Sequence, residues 1–362
     1  MKLKVEKSVL VGGLQSVQNV VASRSTLPIL ANVLIVAEGD ALTLSTTDLD
    51  VSVRCRIAGT VEVGGATTLP VKRLASIVRE LPGSTVEIDT DDKDQTVVTC
   101  GQSRFKLLGL SADDYPQLPE ADGDLSYEIE QGTFREMLKK TSYAASTDET
   151  RYVLNGVLMS FADGKLTTVA TDGRRLALVE SEVEFSEETD MILPSKAVTE
   201  LLHILGDAGT VRIFPRNNQV VFSFGDTMLS SKLIEGTYPN FRQVIPSQCE
   251  ERVLIEREAL LTALRRASLV VADKASATKL TFADNSLVIA TNSPDIGESR
   301  ETLPVKYSGN EITVAFNPDY MMDPLKNLST DEVAVELTDN LSPAVLKCDI
   351  PFLYVLMPMR VD

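Results

Sequence analysis

The chain has 362 residues, a formal net charge of −17, a hydrophobic share of 43% and only 5% aromatic residues. That length spans two or three domains of ~100–200 residues each. The balance excludes a disordered chain and a nucleic-acid binder that works by bulk charge, though not a basic patch on an acidic body. No apolar run reaches the ~18 residues that a membrane-spanning helix needs. Met1-Lys2-Leu3-Lys4-Val5-Glu6 lacks the apolar core of a secretion signal. Cys55, Cys100, Cys249 and Cys348 lie far apart, and His203 is the single histidine. The expectation is a reduced, cytoplasmic protein with no metal site and no cofactor.

The elements follow in a regular order. Residues 8–21 place Leu10, Leu14, Val17 and Val21 on one helical face. Strands are predicted over 33–37, 41–45 and 49–57. In the last, Leu49, Val51, Val53, Cys55 and Ile57 alternate with Asp50, Ser52, Arg54 and Arg56, the pattern of a strand with one buried face. A second helix over 71–81 stops at Pro82-Gly83. Strands over 85–89, 96–100 and 104–108 complete the unit. First helices return over 133–145 and 258–270, and second helices over 196–205 and 319–328.

This order is a threefold repeat with a period of about 124 residues. Leu69-Pro70, Leu193-Pro194 and Asn317-Pro318 each precede a second helix. Val5-Glu6-Lys7, Ile129-Glu130-Gln131 and Ile255-Glu256-Arg257 each open a unit. Ala37-Glu38-Gly39-Asp40, Ala162-Asp163-Gly164-Lys165 and Ala283-Asp284-Asn285-Ser286 read as tight hairpin turns, where Gly and Asn tolerate positive φ. Polar, turn-prone stretches near 121–124 and 247–251 divide the chain into domains over 1–122, 123–250 and 251–362. Two helices packed on antiparallel sheets, three times over, is an α+β architecture.

The six helix windows are mildly positive in sum, so the rest of the chain is more acidic than the whole. If all six line one surface, that surface is basic inside a negative shell. Lys and Arg also favour helices for conformational reasons alone. Catalytic motifs do not emerge: there is no phosphate loop and no His-Glu-x-x-His. Asp89-Thr90-Asp91-Asp92-Lys93-Asp94 lacks the sixth-position Gly and closing Glu of a calcium loop, and reads as a solvated hairpin turn. His203, among Leu201, Leu202, Ile204 and Leu205, reads as a packed or rim residue. An acidic enzyme would need a convergent set of His, Cys or paired carboxylates, and none stands out. A monomeric three-domain adaptor that binds only proteins stays open, and sizing would separate it from a ring.

Four segments carry a resemblance: Ser25-Thr26-Leu27-Pro28-Ile29-Leu30, Arg151-Tyr152-Val153-Leu154-Asn155-Gly156, Val169-Ala170-Thr171-Asp172-Gly173-Arg174-Arg175-Leu176-Ala177 and Met357-Pro358-Met359-Arg360. Over essentially its whole length the chain resembles the bacterial DNA polymerase III β-subunit family, the β sliding clamps. The resemblance implies a clamp fold of three similar domains and a head-to-tail homodimer, closed as a ring around duplex DNA. It implies a non-catalytic processivity factor. The implied partners are DNA bound without sequence preference, the replicative polymerase, the clamp loader, and other polymerases and repair proteins.

It also implies site residues. Arg24, Tyr152 and Lys196 match DNA-contacting positions, and the helix faces add Arg79, Arg135 and Lys139. A peptide pocket would use Leu154, Thr171, Gly173, Arg174, Arg175, Leu176, Pro239, Val244, Val355, Met357, Pro358, Met359 and Arg360. Arg174, Arg175 and Arg360 would stand at its rim. Arg174, Gln243 and the extra Asp362 depart from the family pattern and bear on which peptides are preferred. Dimer closure would use Phe105 and Leu107 against Leu269 and Val270, with Arg73 and Arg104 facing Glu298 and Glu301.

Overall fold

The computed structural model describes residues 1–21, 27–121, 123, 125–271 and 277–360. Six α-helices are present among them: α1 (Lys7–Val17), α2 (Val71–Glu80), α3 (Gln131–Thr141), α4 (Ser195–Ile204), α5 (Arg257–Ala267) and α6 (Pro318–Asn327). Their faces follow the sequence pattern. In α2, Val71, Leu74, Ala75 and Val78 are buried while Lys72, Arg73 and Arg79 are exposed. The first residue of each unit's first helix ties it to the end of the second. Lys7 Nζ donates to Leu81 O at 2.6 Å, Gly206 N donates to Gln131 Oε1 at 2.9 Å, and Arg257 Nη1 donates to Leu325 O at 2.9 Å. The Leu81 and Leu325 carbonyls are among those that a helix C-terminus leaves open.

The structure divides into two compact bodies, residues 1–135 with 196–233, and residues 136–195 with 234–362. The first body holds a five-stranded sheet in the order Thr60–Val63, Lys2–Glu6, Thr85–Thr90, Gln95–Cys100, Ser103–Leu108. It also holds an eight-stranded sheet in which Thr227–Lys232 of the middle repeat pairs antiparallel with Val51–Ala58 of the first, Ser230 opposite Ser52. The second body repeats that joint. Phe352–Leu356 of the third repeat pairs antiparallel with Arg175–Glu182 of the middle one, Val355 opposite Leu176. Its other sheet has four strands in the order Gly297–Pro304, Ser286–Ser293, Thr278–Ala283, Ile312–Phe316. The bodies cut through the middle repeat because its strands are shared out to both neighbours.

Two edges remain. Ser103–Leu108 and Gly297–Pro304 end their sheets with no outer strand partner among the described residues. Ser103–Leu108 is the first repeat's counterpart of Thr227–Lys232 and Phe352–Leu356. Gly297–Pro304 is the third repeat's counterpart of Val51–Ala58 and Arg175–Glu182. Every internal joint is therefore made of the two kinds of strand that are left over.

Several boundaries move from the sequence reading. The strand predicted over 49–57 begins at Val51, because Leu49 sits in a turn at φ 78°. A bulky residue there costs ~1–2 kcal/mol relative to right-handed backbone. Ser52 is also buried, since its face meets Ser230 across the joint. The helices predicted over 133–145 and 258–270 tighten at their ends into 3₁₀ turns, Ser142–Ala144 and Ser268–Val270. The first helix stops at Val17, although Val20 and Val21 beyond it are buried. The hairpin turns sit as read, with Gly39 at φ 58°, Gly164 at φ 72° and Asn285 at φ 53°. In the acidic turn, Asp91 Oδ1 accepts from Lys93 N and Gln95 N at 2.9 Å each, so this carboxylate is used to close a hairpin.

Candidate functional site

The candidate groove starts from the turn between Lys165–Thr171 and Arg175–Glu182. Asp172 Oδ1 accepts from Arg174 N at 2.9 Å and Arg175 N at 3.1 Å, and Thr171 Oγ1 donates to Arg175 O at 2.6 Å. Gly173 takes φ 84°, and a Cβ there would lie 3.1 Å from Arg151 Nη1. Glycine adopts this φ without the strain that a side chain would bring. The end of the chain docks on this turn. Met357 N donates to Arg174 O at 2.9 Å, and Met359 N donates to Ala315 O at 2.7 Å. These two bonds hold residues 357–359 in place.

An apolar cluster lies behind the turn. Leu176, Val355, Leu158, Val169, Tyr238 and Phe241 are buried in it, and Leu154 is half-buried against it. The structure therefore brings three of the expected residues, Leu154, Leu176 and Val355, into one cluster. Val244 closes the 3₁₀ turn begun by Phe241 and is 48% exposed, while Met357 is 41% exposed. Pro239, Arg174 and Arg360 are exposed; Pro358 and Met359 are half-buried. Sequence reasoning missed Tyr238 and Phe241, the largest side chains of the cluster. Their signal was the Tyr238-Pro239 step, which repeats Tyr115-Pro116.

Arg175 corrects an expectation. It is not a rim cation. Its side chain is 10% exposed, and its guanidinium donates to Asp172 Oδ2 at 3.0 Å, Asp323 Oδ2 at 2.5 Å and Tyr143 O at 2.6 Å. It also lies 4.3 Å from the centroid of the Tyr320 ring. Burial opposes its charge, but the Asp323 and Asp172 carboxylates hold it protonated. Burial in turn pushes the Tyr143 and Tyr354 hydroxyls well up, so both stay neutral beside it. Arg175 fastens the Asp172 turn to α6; Arg174 and Arg360 are the exposed cations of the groove.

Of the residues expected to face DNA, Arg24 lies outside the described residues. Arg79 is exposed and Tyr152 is 59% exposed. Arg135 pairs with Asp207 at 2.7 Å and Lys139 with Glu136 at 3.7 Å, which moderates both charges. Lys196 Nζ contacts Asp48 Oδ2 and donates to Val20 O at 3.3 Å. Burial raises the Asp48 carboxyl, but Lys196 and the N–H groups of Val51 and Asp50 bring it below its usual value. Glu200, on the same helix as Lys196, is buried and raised by that burial, while exposed His203 pulls it down.

The expected dimer residues lie on or beside the two open edges. Phe105 is 40% exposed and Leu107 half-buried on Ser103–Leu108. Leu108, which the sequence pattern does not single out, is 70% exposed there. Leu269 is 77% exposed and Val270 half-buried in the turn after α5. Arg73, Arg104 and Glu298 are exposed. Glu301 is already engaged by Arg266 of its own chain at 2.6 Å, so it does not stand free for an arginine elsewhere.

Among the described residues no helix is long and apolar enough to cross a membrane, and no three His, Cys, Asp or Glu side chains gather to hold a metal ion. Family models described as the N-terminal, central and C-terminal domains of the DNA polymerase III beta subunit match residues 1–119, 128–240 and 242–360. A beta sliding clamp of Chlamydia muridarum is 32% identical, with 99% of each chain covered. The DNA polymerase sliding clamp of Bacillus subtilis superposes with a TM-score of 0.95 at 31% identity, covering 100% of both chains. A Bartonella birtlesii sliding clamp bound to griselimycin gives a TM-score of 0.94 at 34% identity, again over 100% of both. Three family matches in tandem and full-length likeness to solved clamps agree with the threefold repeat, and the chain belongs to the DNA polymerase III β-subunit family, the β sliding clamps.

Proposed function

We propose that two copies of this chain join head to tail into a closed ring that encircles duplex DNA in the cytoplasm and tethers a replicative polymerase, without chemistry of its own. The observation that carries this is the pair of open edges. Both internal joints pair a Thr227–Lys232-type strand with a Val51–Ala58-type strand, and among the described residues one of each kind is left without an outer neighbour. A heterologous contact of this kind either closes a ring or grows a filament. Domains over 1–122, 123–250 and 251–362 make half of such a ring. Leu269 and Val270 with Phe105, Leu107 and Leu108 supply its apolar seam; Arg73 and Arg104 meet Glu298 at the rim, where ion pairs contribute only ~0–1 kcal/mol.

The test is retention. After loading, the protein is expected to stay on nicked circular duplex and to slide off linear duplex. Leu269→Ala with Val270→Ala removes two apolar side chains worth ~1.5 kcal/mol or more each at an interface. Dimerisation should weaken roughly 100-fold, giving folded monomers that circles no longer retain. A dimer constant unchanged in analytical ultracentrifugation refutes the seam.

DNA would be held by Arg24, Arg79, Arg135, Lys139, Tyr152 and Lys196, all blind to base sequence. Direct binding to short linear duplex is expected to be weak and to fall steeply with salt. Arg24→Ala or Lys196→Ala should weaken it equally on unrelated sequences and flatten the salt slope by about one for each phosphate no longer neutralised. A base preference, or no response to either change, counts against the assignment.

The groove around Leu154, Leu176, Val355 and the Met357–Met359 tail would take short segments of the polymerase, the clamp loader and repair proteins in turn. Flexible, polarizable methionines suit a site that accepts several partners.

A further inference from the structure

The frame of the peptide groove occurs twice in the chain. At the other joint, Thr47 Oγ1 donates to Val51 O at 3.1 Å, as Thr171 does to Arg175 O. Asp48 Oδ1 accepts from Asp50 N and Val51 N at 3.1 and 2.8 Å, as Asp172 does from Arg174 and Arg175. Leu49 takes φ 78° where Gly173 takes φ 84°. Lys232 N donates to Asp50 O at 2.9 Å, the bond that Met357 N makes to Arg174 O at the same length. Tyr115 and Tyr238 are both buried, and a proline follows each. Between these elements the first joint keeps a cavity of about 110 Å³.

The two joints share their backbone and differ in their chemistry. Leu176 opposite Val355 becomes Ser52 opposite Ser230, and the two serine hydroxyls bond each other. Bare Gly173 becomes Leu49, whose side chain is 47% exposed beside the cavity. Met357 becomes Lys232, which pairs with Asp50 at 2.9 Å. An apolar side chain entering this cavity would strip water from the exposed Asp50–Lys232 pair and would lie against two polar hydroxyls, replacing neither interaction. It would also meet a leucine where the other groove leaves space.

We infer that Leu49, Ser52, Ser230 and Lys232 are specificity determinants that close a second groove, built on the peptide-groove frame, to apolar ligands. Each chain then takes one such ligand, not two. The inference rests on the peptide-groove reading above. Exclusion of this kind is specificity by unfavourable contacts, independent of how good the favoured site is.

Titration calorimetry of the full chain with griselimycin tests it. The unaltered protein should bind one per chain, and deletion of residues 357–362 should leave none. Leu49→Gly, Ser52→Leu, Ser230→Val and Lys232→Met together should raise the count to two, and to one in the deleted chain. A folded fourfold variant that still titrates at one per chain overturns the inference. Should the larger side chains block folding, the reciprocal exchange decides. Leu176→Ser with Val355→Ser should weaken binding at the apolar groove at least 100-fold, and a loss under threefold overturns the role of the serine pair. Failure of the groove reading itself looks different: binding by the unaltered sequence would survive deletion of residues 357–362.

Discussion

Deletion of residues 357–362 is expected to abolish binding of polymerase and clamp-loader segments while leaving the dimer intact. Affinities suited to exchange lie near micromolar, about 8 kcal/mol. Met357 and Met359 each contribute ~1.5–3 kcal/mol if a ligand covers them. Losing both moves a micromolar complex to about 0.1 mM or weaker, since each 1.4 kcal/mol or so is a factor of ten. The sheet pairing should survive, because Phe352–Leu356 ends before the deletion. Neither open edge, Ser103–Leu108 nor Gly297–Pro304, includes the tail. Fluorescence anisotropy with a labelled polymerase tail segment reads the first effect, and sedimentation reads the second. Normal binding by the truncated ring would place the groove elsewhere.

The second large effect is expected at Arg175. Arg175→Met keeps most of the side-chain volume but leaves Asp172 and Asp323, which are 15% and 25% exposed, without their common cation. Breaking a buried pair by removing one partner costs about 3–5 kcal/mol, because the other charge stays desolvated. The midpoint of chemical denaturation should fall accordingly. Arg175→Met with Asp323→Asn should recover part of the loss, since one stranded charge is gone. Had Arg175 been a rim residue, the single change would fall within about 0.5 kcal/mol. A stability change that small would mean that the ion network contributes nothing to the fold.

Much of the architecture is written locally. The threefold repeat, the two helices per unit and the hairpin turns follow from apolar spacing and from Gly39, Gly164 and Asn285, all at positive φ. Leu269 was singled out only through resemblance, and its exposure is a finding of the structure. The groove was legible only through resemblance. Leu154, Leu176 and Val355 lie far apart in sequence, and no periodicity within one element relates them.

Other features depend on long-range packing. The alternation in Val51–Ala58 marks a strand, but not that Thr227–Lys232 is its neighbour; backbone hydrogen bonds are the same for every partner, so pairing depends on which edges the fold presents. Arg175 and Arg174 are adjacent and chemically alike, yet one is buried between Asp172 and Asp323 and the other is exposed. Arg174 stays in the turn while Arg175 opens the strand, and α6 then supplies the Asp323 carboxylate that encloses Arg175. Leu49 reads as the first residue of a strand by polarity, but Asp48 bonds the amides of Asp50 and Val51 and turns the chain there instead. Local pattern specifies what each unit is made of. Which edges meet, and which charges are thereby buried, is settled by contacts between units that no local pattern records.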